Sequence, residues 1–424
     1  MANIQMKNSG IDWIGEIPAH WEVKRVKDVS IVSTGQTPPR EQAECFSNKK
    51  ENNYLWIKPE DLNSFGKISE TKEYITKYGL NFIKLYDEKS LILSGIGAGL
   101  GNIGISKYKF TTNQQNHILS KHKNFKYLFY FMFAAKEHIK SLSVGNVLSI
   151  LNATKLKNSF IINPTIEEQK SIVSYLDIET SKIDRKISIL EQKYEKLEEY
   201  KQSVIFETVT KGLDSNVEMK DSEIDWISEI PKHWNIKRVK EVAKWQTGFT
   251  PDTKKSEYYD GNDDWITIGD MNGKYIKSSK NKINGNLFPK YWITPANSLL
   301  FSFKLSIGQV AFNEKEIFTN EAICSFSPKS KINLNYFYYA APIFICKNAK
   351  KNIYNADLLN QDLIANANCL IPTEKEQKEI VVYLDNLCSK LNKKLEIIKK
   401  QIELLKEYKQ TIIYEAVTGK MEIL

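Results

Sequence analysis

A chain whose two halves repeat each other must fold as two versions of one unit, and this chain does repeat. Ile11-Asp12-Trp13-Ile14, Glu16-Ile17-Pro18, His20-Trp21 and Lys24-Arg25-Val26-Lys27 return 213 positions later as Ile224-Asp225-Trp226-Ile227, Glu229-Ile230-Pro231, His233-Trp234 and Lys237-Arg238-Val239-Lys240. Thr34-Gly35 and Pro38 return as Thr247-Gly248 and Pro251 at the same offset. Trp56-Ile57 and Asp61 match Trp265-Ile266 and Asp270 with the offset reduced to 209. Loops have changed length while anchors have stayed. Pro164-Thr165, Gln169 and Tyr175-Leu176-Asp177 then recur as Pro372-Thr373, Gln377 and Tyr383-Leu384-Asp385, and Glu199-Tyr200-Lys201-Gln202 as Glu407-Tyr408-Lys409-Gln410, both at 208.

Each unit ends in a run without proline or glycine, from Thr165 to Thr210 and from Thr373 to Thr418, with a proline just ahead of it; this predicts two long helices. Apolar residues fall at sevens along them: Leu176, Ile183, Leu190, Leu197 and Val204, then Leu384, Leu391, Ile398, Leu405 and Ile412. A companion seam lies three residues earlier at Val173, Ile187 and Tyr194, and at Val381, Leu395 and Ile402. Seams of that period pair as a coiled coil, most simply antiparallel about a pseudo-two-fold axis, each helix roughly 68 Å long at about 1.5 Å per residue. Such a pair is expected to act as a spacer between the globular parts. Lys201 and Lys409 interrupt the seams at matching places.

The globular parts read as α+β. Short apolar runs such as Tyr54 to Ile57, Leu91 to Leu93 and Leu299 to Phe301 predict strands, and the aromatic runs Tyr127 to Ala135 and Tyr336 to Ala341 predict a helix in each copy. The fold class expected is two similar mixed α/β domains, each followed by a long helix, with the two helices pairing antiparallel. The boundaries expected are 1–163, 164–213, 214–371 and 372–424.

Charge narrows the partners. Sixty Lys and Arg against 51 Asp and Glu leave a net charge of +9, which favours an anionic partner. Only four cations are arginine, Arg25, Arg40, Arg185 and Arg238, so the charge suits phosphate contact better than bidentate reading of guanine. Five scattered cysteines form no zinc or disulfide spacing. No signal core or membrane-length apolar run occurs, so a cytoplasmic protein without membrane partner is expected.

Motifs for catalysis fail on inspection. Gly99-x-Gly101-x-x-Gly104 satisfies a dinucleotide-binding spacing, but no acidic residue occurs from Ile105 to Lys136 to hold a ribose, and the second copy keeps only Gly308. The same acid-free stretch carries Lys107, Lys109, Lys121, Lys123, Lys126 and Lys136, which reads either as a phosphate-binding surface or as a solvated face. Asp61 with Glu70 and Lys72 imitates a nuclease spacing, yet Ser279 and Lys280 replace Glu70 and Thr71 in the other copy. No metal-binding histidine pair or nucleotide-binding loop is present, and no catalytic site is expected. The Trp-His-Trp segments, identical in both copies, suit a structural frame better than a base-reading surface.

The repeated Ile-Asp-Trp-Ile-x-Glu-Ile-Pro-x-His-Trp, Thr-Gly-x-Thr-Pro and Pro-Thr-x-x-x-Gln motifs resemble type I restriction-modification specificity subunits over nearly the whole chain, twice. That resemblance implies that each globular part is a target-recognition domain for one half of a split double-stranded DNA target. It also implies docking of two methyltransferase subunits on the long helices, to which restriction and translocation subunits add. No cofactor is implied for this chain; S-adenosylmethionine is expected in the partner methyltransferase.

The Thr-Gly-x-Thr-Pro motif, near DNA in the family, makes Gln36, Thr37 and Arg40 candidate contacts in the first copy, and Phe249, Thr250, Lys254 and Lys255 in the second. Asn113, Gln114, Gln115 and Asn320 offer amides to adenine edges or phosphate. Lys58, Lys107, Lys109, Asn272, Lys274 and Lys304 complete the candidate DNA-binding set. Two other classes remain open at this point: a basic coiled-coil scaffold for protein partners, and a nuclease built near Asp61.

Overall fold

A computed structural model describes residues 5–62, 67–145, 149–329, 332–351 and 357–423. The chain divides into two compact units: Met1–Glu191 with Lys399–Leu424, and Gln192–Ile398. Each unit therefore takes one globular part, one half of its own long helix and one half of the other.

Four helices organise the units: α1 (Phe125–Ala134), α2 (Ile166–Lys211), α3 (Leu334–Lys347) and α4 (Glu374–Thr418). The long helices begin where the Pro-Thr motif places them. Thr165 donates its backbone N–H and hydroxyl to Glu168 and accepts from the Glu168 N–H, a reciprocal cap, and Thr373 and Glu376 repeat it. Gln169 and Gln377 each donate to the carbonyl of the preceding proline at 3.0 Å. The proline locks the entry, and the glutamine satisfies its carbonyl.

Within each unit the two helix halves pack antiparallel. Asp184 meets Lys409 and Glu191 meets Lys406 in the first unit, and Lys201 meets Asn392 in the second, so rising numbers on α2 face falling numbers on α4. Of the seam, Leu176, Ile183, Leu384, Leu391 and Ile398 are buried, while Leu190, Leu197 and Leu405 are half-buried. Lys201 sits between Glu198 Oε2 at 2.8 Å and Asn392 Oδ1 at 3.2 Å.

The globular part of the first unit has a five-stranded sheet in the order Ile31–Thr34, Asn116–Ser120, Leu91–Ser94, Ile103–Ser106, Lys67–Ile68. All neighbours are antiparallel except the last pair. A four-stranded sheet holds Phe110–Thr112 parallel to Tyr54–Ile57, followed by Tyr74–Ile75 and Phe46–Ser47. The second unit repeats the plan: Ala243–Thr247, Ile323–Pro328, Leu299–Ser302 and Val310–Phe312 form one sheet, and Asp263–Ile266 pairs parallel with Phe318–Thr319 and antiparallel with Asn281–Ile283. The expected fold class is what the chain adopts.

Each main core joins sheet, aromatic helix and both helix halves. Tyr127, Phe131, Leu93 and Trp21 pack with Leu176, Ile183 and Ile413 in the first unit, and Tyr336, Phe344, Phe326 and Trp234 with Val209 and Leu384 in the second. Among the described residues no helix is long and apolar enough to cross a membrane.

Candidate nucleic-acid interface

Strand pairing brings the candidate loops together. The strand ending in Thr34-Gly35 pairs with the strand that follows Thr112-Asn113, and the strand ending in Thr247-Gly248 pairs with the one that follows Thr319-Asn320. The Gln36 N–H donates to the Thr112 carbonyl at 2.8 Å, and the Phe249 N–H to the Thr319 carbonyl at 2.9 Å. A Cβ on Gly35 would lie 2.1 Å from the Asn113 carbonyl oxygen, and one on Gly248 2.0 Å from that of Thr319. Only glycine lets the two turns approach so closely.

On this shared frame the side chains differ. Thr37 donates to Gln114 Oε1 at 2.5 Å, whereas Thr250 donates to the carboxylate of Glu321, the residue matching Gln114. That bond, against some desolvation and with help from Lys304, holds the Glu321 carboxyl below the ordinary range. Lys304 reaches this place because its neighbour Phe303 donates its N–H to Ala322 at 3.0 Å. Gln36 is exposed and accepts the Lys84 N–H at 3.1 Å; Phe249, its counterpart, packs on Phe288 and Trp292 with ring centroids 4.8 Å apart in both cases. Asn113 donates to Gln115 at 3.1 Å, and Asn320 accepts the Ala322 N–H at 3.2 Å. One turn pair thus offers neutral amides, the other a carboxylate beside a lysine.

Arg40 and Lys58 form a second cluster. The Arg40 guanidinium lies 4.6 Å from the Trp56 ring centroid and 4.8 Å from that of Phe46, and the Lys58 ammonium 4.7 Å from Trp56. Both cations pair with Glu73, whose carboxyl is held low chiefly by Lys58. Two cations on one carboxylate leave a net positive charge there.

The remaining candidates lie elsewhere. Lys107 and Lys109 precede the strand Phe110–Thr112, at the opposite end from the Thr112 turn, and Lys107 sits over the exposed ring of Tyr108. Lys254 and Lys255 are exposed beyond Thr250, and Lys255 donates to the Tyr258 hydroxyl at 3.2 Å. Asn272 donates to the Gly269 carbonyl, and Lys274 is engaged by Asp385 on α4 at 2.6 Å. Of the lysines in the acid-free stretch, Lys126 is already paired, with Asp177 on α2.

The rejected motifs have structural explanations. Gly104 lies within the strand Ile103–Ser106, where a Cβ would meet Leu62 at 2.8 Å, so the glycine spacing opens no helix. Asp61 accepts the Lys58 N–H at 2.8 Å and Asp270 the Thr267 N–H at 2.9 Å, each capping a short turn. Among the described residues no group of three or more His, Cys, Asp or Glu side chains could hold a metal ion.

Sequence reasoning passed over the contacts that tie each globular part to the helices. Glu168 accepts from His20 Nε2 at 2.7 Å and Trp21 Nε1 at 2.9 Å, and Glu376 from His233 at 2.9 Å and Trp234 at 3.0 Å. The Trp-His-Trp segments thereby gain a role in the frame. Tyr130 on α1 donates to Asp177 at 2.8 Å and Tyr339 on α3 to Asp385 at 2.5 Å. The recurring Thr-x-x-Glu spacing was a visible signal for the glutamates; nothing in the sequence paired them with tryptophan.

A similar fold occurs in a solved structure concerned with complex assembly and conformational transition of the type I R-M system. That chain matches with a TM-score of 0.72, covering 96% of this chain and 99% of its own at 16% identity, which establishes the likeness of fold. The family model for the type I restriction modification DNA specificity domain matches residues 18–199 and again 231–404, and the chain belongs to that family. Similar curated proteins include the type I restriction enzyme MjaIX and MjaVIII specificity subunits of Methanocaldococcus jannaschii, each 24% identical. The match to MjaIX covers 97% of this chain and 95% of the relative, that to MjaVIII 96% and 94%. The EcoBI specificity subunit of Escherichia coli is 23% identical over 206 residues, 48% of this chain and 43% of its own. The protein is a specificity subunit for DNA target recognition, a non-catalytic chain whose system carries its catalysis in partner subunits.

Proposed function

We propose that each globular part reads one half of a bipartite double-stranded DNA target, and that the paired helices dock two methyltransferase subunits to which restriction subunits add. The observation that carries this reading is the repeated latch between the Thr-Gly and Thr-Asn turns. Its backbone and its threonine (Thr37, Thr250) are the same in both units, while Gln36 and Gln114 in the first are replaced by Phe249 and Glu321 in the second. A constant frame with altered side chains is what two different half-sites require. S-adenosylmethionine belongs to the partner methyltransferase, and the complex works in the cytoplasm, where the DNA is.

Co-expression with the candidate methyltransferase subunit in a methylation-free host, followed by single-molecule mapping of modified adenines, tests it. A single split motif that disappears without this chain, and changes in one half when one globular part is exchanged, is the expected result. A soluble complex that methylates no motif, with weak salt dependence of any DNA binding, would leave the chain a protein scaffold.

A further inference from the structure

Each unit holds a second segment against its Thr-Gly turn. In the first, residues 76–85 run from the strand Tyr74–Ile75 to the bridge between Tyr86 and Phe110; in the second, residues 284–293 run from the strand Asn281–Ile283 to the bridge between Thr294 and Ile317. The two segments are equal in length and occupy the same place in the repeat. Both are wound into short hydrogen-bonded turns, Gly79–Asn81 in one, Gly285–Leu287 and Lys290–Trp292 in the other.

Both touch the residue after the Thr-Gly pair, by Lys84 on Gln36 and by Phe288 and Trp292 on Phe249. Each leaves two large apolar side chains in solvent: Tyr78 and Phe82, 48% and 39% exposed, and Leu287 and Tyr291, 49% and 69% exposed. The ring centroids of Tyr78 and Phe82 are 5.7 Å apart, and that of Tyr291 is 5.3 Å from Trp292, so each of these exposed rings packs against a neighbouring ring. Lys77 and Lys84 in one segment and Lys290 in the other supply the only charges, with no Asp or Glu in either. Exposed apolar groups beside cations, at one place in both units but with different identities, have the properties of a reading surface.

We propose that these segments are a second pair of DNA-reading elements. Tyr78 and Phe82 act on one half-site and Leu287 and Tyr291 on the other, by apolar contact with base edges, chiefly the thymine methyl group, while the flanking lysines meet phosphates. The proposal rests on the reading that the Thr-Gly turns face DNA.

The test uses the full chain with its methyltransferase subunit and the same adenine mapping. Tyr291→Ala and Leu287→Ala are expected to relax discrimination at one or two bases of a single half of the motif, about fivefold to a hundredfold in relative methylation. Tyr78→Ala with Phe82→Ala does so in the other half. Tyr291→Phe keeps the ring and should keep the specificity, and a melting temperature close to that of the unsubstituted chain shows that the variants fold. An unchanged motif in all the alanine variants overturns the proposal and leaves the half-site reading standing. Equal loss on every sequence, with discrimination intact, limits the segments to backbone contact and also overturns it. Absence of any motif from the unsubstituted chain removes the reading beneath it and the inference together.

Discussion

Lys409 of α4 is buried against Asp184 of α2, its ammonium 2.6 and 2.7 Å from the two carboxylate oxygens, with the lysine 6% exposed. Burial pulls its pKa below the ordinary lysine value and Asp184 recovers part of the shift. The unfolded chain therefore holds that proton more tightly, and the group costs stability at neutral pH that returns only as pH rises toward 10.5. Lys409→Met is expected to stay within about 1 kcal/mol of the parent. Asp184→Ala, which removes that carboxylate from the buried ammonium, should lose about 1–3 kcal/mol, moderated because Asp184 is half-exposed. Urea unfolding of the two variants side by side measures both.

The helix caps make stability acid-sensitive. Burial pushes the carboxyls of Glu168 and Glu376 up, but hydrogen bonds from histidine, tryptophan and threonine outweigh it and hold both at about 2, against 4.5 ordinarily. A depressed carboxyl stabilises above its unfolded pKa and loses that contribution as pH falls toward the folded one. Melting temperatures of the parent and of Glu168→Gln or Glu376→Gln should differ most above pH 4.5 and converge as pH falls toward 2.

Glycine at the latch is a steric requirement. Gly35→Ala or Gly248→Ala sets a methyl against a backbone carbonyl, so the turn pair must open, at about 1–3 kcal/mol. Adenine mapping should show each variant disturbing one half of the motif and sparing the other. Disturbance of both halves by either variant would contradict one half-site per unit.

Arg40 is the one arginine outside the repeated anchors and long helices. Arg40→Ala is expected to alter recognition of the first half-site and leave the second intact. Arg40→Lys should not restore it, because a lysine has no planar face for Trp56 and Phe46. A loss of affinity equal on all sequences would assign Arg40 to the backbone alone.

Much of the architecture was legible. Helices expected over Thr165–Thr210 and Thr373–Thr418 form over Ile166–Lys211 and Glu374–Thr418, and the strand Tyr54–Ile57 forms where its apolar run lies. Proline entry, unbroken periodicity and β-rich apolar runs are local signals, so neighbours in sequence suffice to read them. The candidate interface was legible only in part. Gln36 meets Thr112 and Thr37 meets Gln114 as a shared frame would require, but Lys274 belongs to Asp385, and the segments 76–85 and 284–293 carried no repeated motif to mark them.

By itself the sequence determined the duplication, the helices, the family and the absence of a familiar catalytic motif, because each is written in residue spacing along one chain. Tertiary structure alone decided that Trp21 and Trp234 hold the helix caps, that Lys409 finds Asp184, and that an exposed aromatic turn lies beside each Thr-Gly pair. Such contacts join residues far apart in sequence. Which side chain reaches which partner depends on strand register and helix packing, and no local pattern records either.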